Sequence, residues 1–96
     1  MVDEVDMDKV KTIRIEYLPT NRKFDVPIKN NNKISELITK IQDKIGGGIT
    51  LVNLMIKPST SRNSRPLPTD GELTIYDAKI NNYSTITIGK DNVIGG

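Results

Sequence analysis

An α+β domain, with one helix lying across a mixed sheet of four to five strands, is the fold class this sequence predicts. Three observations carry it. Short runs of polar–apolar alternation stand near both ends of the chain. A single segment between them repeats its apolar residues at helical spacing. Turn-forming residues separate these segments.

Thr12-Ile13-Arg14-Ile15-Glu16-Tyr17 alternates polar and apolar, the pattern of a half-buried strand. Leu18-Pro19-Thr20-Asn21-Arg22 reads as a turn, because Pro fixes φ and Asn tolerates left-handed geometry. Alternation resumes in Phe24-Asp25-Val26-Pro27-Ile28, which predicts a hairpin. Pro27 has no amide to give a ladder, so its strand belongs at a sheet edge. Lys29–Asn32 breaks the pattern. Ile34, Leu37, Ile38, Ile41 and Ile45 then recur at three- and four-residue steps, the mark of one amphipathic helix. Asn32 or Lys33 opens it, Ser35 and Glu36 occupy its first turn, and Gly46-Gly47-Gly48 closes it.

Leu54-Met55-Ile56-Lys57 is a short apolar strand, and Pro58–Pro66 a polar, basic loop. Leu67 is expected to return to the core on a brief strand. Asp70-Gly71 and Asn81-Asn82 are turns. Thr74–Asp77 is a short helical turn that Asp77 is expected to cap or brace. Ser84–Ile88 alternates once more, with Ile86 and Ile88 inward. For the last strand to enclose the helix it must pair with the first, which makes a parallel pair at the centre. The predicted organisation is a disordered acidic tail over 1–10, the domain over 11–90 and a flexible tail over 91–96.

Composition removes several function classes. With no cysteine and no histidine, the chain has no disulfide, no thiol to carry a thioester, and none of the usual zinc sites or histidine-based nucleophilic dyads. Tyr17, Tyr76 and Tyr83 form no recognisable acid–base pair with the scattered carboxylates, so an enzyme is not expected. No metal or cofactor is expected either. Fourteen basic against twelve acidic side chains leave a net charge of +2, dispersed along the chain, which makes no case for nucleic acid. No apolar stretch approaches the roughly 18 residues of a membrane helix. Met1–Lys9 is acidic and unlike a secretory signal. A cytoplasmic monomer is the expectation, with the nucleus also open to it in a eukaryote.

Ile94 is followed by Gly95 and Gly96. Without Cβ atoms, such a pair lies extended in a narrow channel that other residues would clash with, which lets an enzyme reach a terminal carboxylate. Two terminal glycines also suit a truncated linker, so their meaning rests on the body of the chain.

That body resembles the ubiquitin family and its β-grasp fold. Lys40-Ile41-Gln42-Asp43-Lys44-Ile45-Gly46 is similar to the end of the ubiquitin helix, differing only at Ile45, where ubiquitin has an acid. Thr74-Ile75-Tyr76-Asp77-Ala78-Lys79-Ile80 resembles its Thr-Leu-Ser-Asp-Tyr-Asn-Ile stretch, and Ser84-Thr85-Ile86-Thr87-Ile88 the Ser-Thr-Leu-His-Leu strand after it. The resemblance runs in order from about Thr12 to Gly96. Most matched apolar positions are explained by packing alone, and the fold hosts several activities.

The resemblance implies a protein modifier. An ATP-dependent activating enzyme would adenylate Gly96, conjugating enzymes would pass the acyl group as a thioester, and a target lysine would take it as an isopeptide. A processing protease would first expose Gly96 where residues follow it. Asp91, Asn92, Val93 and Ile94 would present the tail, with Asp91 or Asn92 standing where ubiquitin shows an arginine. The partner surface would hold Leu18, Met55, Thr87 and Gly89, of which the last two replace a histidine and a valine. Arg14 replaces a phenylalanine of the smaller patch, so readers of ubiquitin's surface should bind poorly. Lys40 and Lys44 match ubiquitin lysines and are offered as chain-linking positions, although exposed lysines ordinarily just solvate a face. Two alternatives stay open: a sulfur carrier ending in a thiocarboxylate, and a binding domain that is never conjugated.

Overall fold

The computed structural model describes residues 7–50 and 54–94, with Ile94 described by its backbone alone. Strand β1 (Val10–Tyr17) turns back into β2 (Arg22–Lys29), and helix α1 (Ile34–Ile45) follows. Four short strands come next: β3 (Gly48–Ile49), β4 (Met55–Lys57), β5 (Arg65–Pro66) and β6 (Thr85–Ile88). The last is β7 (Val93–Ile94). The main sheet has the order β2-β1-β6-β4-β5. Its central pair, β1 with β6, is parallel, and all its other pairs are antiparallel.

Alternation sorts the side chains as the sequence predicts. Ile13 and Ile15 of β1, Val26 and Ile28 of β2, Ile56 of β4 and Ile86 and Ile88 of β6 all face one side and are buried. The apolar face of α1, namely Ile34, Leu37, Ile38 and Ile41, joins them in one core. β2 is an edge strand, and Pro27 sits in it. Asn21 takes the left-handed conformation at φ 55° and its amide donates to Leu18 O, closing the first turn. Gly46 ends the helix at φ 75°, its amide donating to Gln42 O.

The helix start is braced from two directions. The Glu36 carboxylate accepts from the Lys33 amide at 3.2 Å and from Asn32 Nδ2 at 2.8 Å. The segment after Asp70 supplies the rest: Leu73 O accepts the Ile34 amide, and Gly71 O that of Ser35. Lys33 Nζ lies 2.7 Å from Glu72, and the hydrogen bond to that carboxylate raises the lysine pKa. The Thr74–Asp77 turn forms, with the Ala78 amide donating to Thr74 O. Its cap is Thr74 rather than Asp77: Thr74 Oγ1 accepts the Asp77 amide at 3.0 Å, while the Asp77 side chain is exposed.

Both predicted tails differ from expectation. Residues 7–9 are tied to the Asn30–Asn31 corner, through the Asn31 amide to Met7 O at 2.9 Å and the Asn30 amide to Lys9 O at 3.2 Å. At the other end, β7 pairs antiparallel with β3, a two-stranded ladder that the sequence pattern does not announce. Residues 1–6, 51–53, Gly95 and Gly96 lie outside the described residues. Among the described residues, no helix is long and apolar enough to cross a membrane.

Leu37 is wholly buried where the helix meets the sheet. Leu37→Ala is expected to lower stability by about 2–5 kcal/mol in urea denaturation, whereas Leu18→Ala, at an exposed position, should stay within about 0.5 kcal/mol. Similar losses for the two would mean that the helix is not packed as described.

Candidate functional site

The face of the sheet turned away from α1 carries every second residue of the central strands. Across it, Lys23, Glu16, Thr87 and Met55 form one row, each the register partner of the next. Leu18 follows Tyr17, the partner of Ile88, and Gly89 follows Ile88, so both lie at the same end of the sheet. The register therefore places Thr87 beside Met55, with Leu18 and Gly89 at the same end of the sheet. Their chemistry is mixed. Leu18 is 54% exposed and Met55 37%, but the row between them is polar. Thr87 Oγ1 donates to Glu16 Oε1 at 3.5 Å, and Glu16 meets Lys23 Nζ at 3.7 Å. Such an exposed ion pair stabilises little, about 0–1 kcal/mol. Its effect is to make this face charged, with apolar contact limited to two side chains.

Gly89 is extended, at φ −93° and ψ 175°, so its backbone does not call for glycine. A Cβ there would meet only Asn92 Oδ1, at an ordinary 3.6 Å. What glycine does at this position is keep the patch small.

The tail is built from a compact hitch. Lys90–Asn92 forms a turn of 3₁₀ helix. Asn92 is buried, with its Oδ1 accepting the Gly89 amide at 2.9 Å and its O accepting the Thr50 amide at 2.8 Å. Val93 packs against the core. Residues 93–94 then pair with Gly48–Ile49, and the Ile49 amide donates to Gln42 Oε1 at 3.0 Å. A tail that is flexible from residue 91 is thus corrected: the hitch and β7 hold residues 90–94 to the body. Asn92 and Val93 serve this anchoring instead of free presentation, because their polar and apolar groups are already engaged. Asp91 is exposed, Asn92 buried and Val93 half-buried. Gly95 and Gly96, with the Ile94 side chain, lie outside the described residues.

Lys40 and Lys44 stand exposed on α1, beside Val26, Pro27 and Asp43 in a shallow recess. Among the described residues, no group of three or more His, Cys, Asp or Glu is placed to hold a metal ion.

No protein-family model matches the chain, and no curated protein does. Solved structures do. A ubiquitin-like domain from tubulin-binding cofactor B superposes with a TM-score of 0.65 at 16% identity, covering 82% of this chain and 87% of that one. The fold is that of a ubiquitin-like β-grasp domain. The C-terminal ubiquitin-like domain of mouse tubulin-specific chaperone e gives 0.65 at 8% identity, covering 90% and 91%. The ubiquitin-like domain of yeast Ddi1 gives 0.56 at 8% identity, covering 97% and 98%. At such identities the likeness is one of fold.

Sequence reasoning reaches the four patch residues only through the resemblance to ubiquitin. It misses the Asn92 anchor and the β3–β7 ladder. The available signal was slight: Ile49 and Val93 are apolar residues flanking turn formers, in segments too short to show a period.

Two substitutions test this geometry. Gly89→Ala should raise stability by about 0.4–1 kcal/mol, because the backbone and the space both admit a Cβ. Asn92→Ala should lower it by about 1–3 kcal/mol and speed amide hydrogen exchange at Thr50. Unchanged exchange at Thr50 would mean that the hitch does not hold the tail.

Proposed function

We propose that this chain is a ubiquitin-like protein modifier, joined through the Gly96 carboxylate to lysines of other proteins. The observation that carries the reading is the place of the two glycines. They come directly after Ile94, the last residue held in the β3–β7 ladder. A partner that grips the β-grasp body thus meets, next along the sequence, two residues without Cβ atoms.

On this reading an activating enzyme transfers AMP from ATP to the carboxylate and releases pyrophosphate. An enzyme thiol then displaces AMP, and a target lysine amine displaces the thiol to give the isopeptide. The chain is the substrate of these steps and supplies no catalyst. Where the native product continues past Gly96, a protease exposes the carboxylate first. Asp91 is the tail side chain open to the activating enzyme, and an acid there calls for an enzyme with a basic counterpart, unlike one that reads arginine. The Leu18–Met55 face serves partner recognition, Lys40 and Lys44 are open to chain linkage, and the cytoplasm is the compartment.

A second reading, a binding domain that is never conjugated, draws on two observations. The similar solved structures are ubiquitin-like domains of other proteins. The pairing of β7 also keeps residues 93–94 on the body, which shortens the reach of any terminus.

Mass spectrometry of the chain recovered from its native cells separates these. Gly96 linked to lysines of other proteins is the expected result. A terminal oxygen exchanged for sulfur would make the chain a sulfur carrier, and an uncut longer chain with an unmodified diglycine would make it a binding domain. Deleting Gly95 and Gly96 should abolish every conjugate while leaving the thermal midpoint unchanged.

A further inference from the structure

Beside the row of Glu16 and Thr87 lies a groove of about 540 Å³ between the sheet and the loop after β4. Three cations line it: Arg14 from β1, Lys57 from β4 and Arg62 from the loop. None of its lining residues is acidic. Among the described residues, these three cations take part in no ion pair. The nearest carboxylate by register is Asp25, the partner of Arg14 on β2, which lines the adjoining recess instead.

The groove is built rather than incidental. Arg14 and Lys57 both flank Thr85, one on each neighbouring strand, so the sheet itself roots two like-charged side chains two strand spacings, roughly 10 Å, apart. The loop is folded back on itself by the Ser61 amide to Pro58 O and the Asn63 amide to Ser61 Oγ, both at 3.1 Å. Asn81 Nδ2 also reaches Thr60 Oγ1 at 3.4 Å. Tyr83 forms the wall. It holds a left-handed φ of 63°, a conformation unfavourable for an aromatic residue, and its 53% exposed ring lies 5.6 Å from the Arg14 guanidinium. Like charges fixed in one groove repel until something anionic joins them.

We propose that this groove docks an extended acidic segment of a partner protein. On a chain in the extended polyproline II form, carboxylates three residues apart lie on one face about 9 Å apart, close to the strand separation of Arg14 and Lys57. Arg62 takes a third carboxylate, and Ser59 and Thr60 offer hydroxyls to the peptide backbone. A nucleic acid fits less well. Three cations neutralise few phosphates beside the roughly six to ten of strongly salt-dependent binders, and Arg14 already occupies the Tyr83 ring. The groove uses neither the diglycine nor Leu18 and Met55, so it holds whether or not the chain is conjugated.

Fluorescence anisotropy of the full chain tests this with three probes: a labelled nonapeptide with Glu at every third position, its Gln counterpart, and oligothymidine of equal charge. The Glu peptide should bind saturably and release at about 1 M salt, where the Debye length is about 3 Å. The Gln peptide should not bind. R14Q/K57Q/R62Q should weaken binding roughly tenfold, and K40Q/K44Q on the helix should leave it unchanged. Should the triple variant unfold, R62Q alone carries the test, with a roughly threefold loss expected. The proposal is overturned by the absence of saturable binding, by undiminished affinity in the folded groove variant, or by tighter binding of the oligonucleotide.

Discussion

Arg14–Tyr17 and Thr85–Ile88 come from opposite ends of the chain and lie side by side, in parallel, at the middle of the sheet. Every other pairing of the main sheet builds outward from that contact. It is an expensive one to form, because the entropy of closing the long intervening loop is lost before any of its hydrogen bonds are made. A clamp at its entrance fixes the register. The Thr12 amide donates to Asn82 Oδ1 at 2.7 Å, the Tyr83 amide to Thr12 O at 2.7 Å, and the Arg14 amide to Ser84 O at 2.8 Å. Ser84 is itself wholly buried, with its hydroxyl donating to Asn81 O at 2.8 Å. A one-residue slip would turn Ile86 and Ile88 to solvent, so this short polar turn decides which residues are core.

The same register decides what the opposite face displays. With Ile13, Ile15, Ile86 and Ile88 committed inward, Arg14, Glu16, Thr85 and Thr87 have to face out. The polar row between Leu18 and Met55 and the cationic groove beyond it are therefore two parts of one surface. They differ in net charge because Glu16 and Lys23 neutralise one another, whereas among the described residues Arg14, Lys57 and Arg62 take part in no ion pair.

Much of this was legible in the sequence where elements are long enough to show a period. The helix from Ile34 to Ile45, the alternation of β1, β2 and β6, and the edge position implied by Pro27 all follow from side-chain pattern. The β3–β7 ladder did not show, because two residues cannot display a repeat and its partners lie far apart along the chain. Asn92 reads as one more turn-forming residue until its buried side chain is seen closing the hitch. Asp77 looked like the cap because acids often are; Thr74 does the work because its hydroxyl stands three residues ahead of the amide that needs an acceptor. The groove was illegible for a different reason. Arg14, Lys57, Arg62 and Tyr83 come from four segments, and each alone reads as a solvated surface residue.

The hitch has a mechanical consequence. A load applied beyond Ile94 acts on the two-residue β3–β7 ladder before it acts on the five-stranded sheet. That ladder, the Asn92 side-chain contact and the 3₁₀ turn are few bonds, and they stand outside the main sheet. They yield first, paying out Lys90–Ile94 as slack of about 17 Å at full extension, while the core keeps its shape. The last residues thus behave as a folded spring in series with a rigid body, setting how far the chain stands from whatever holds its end.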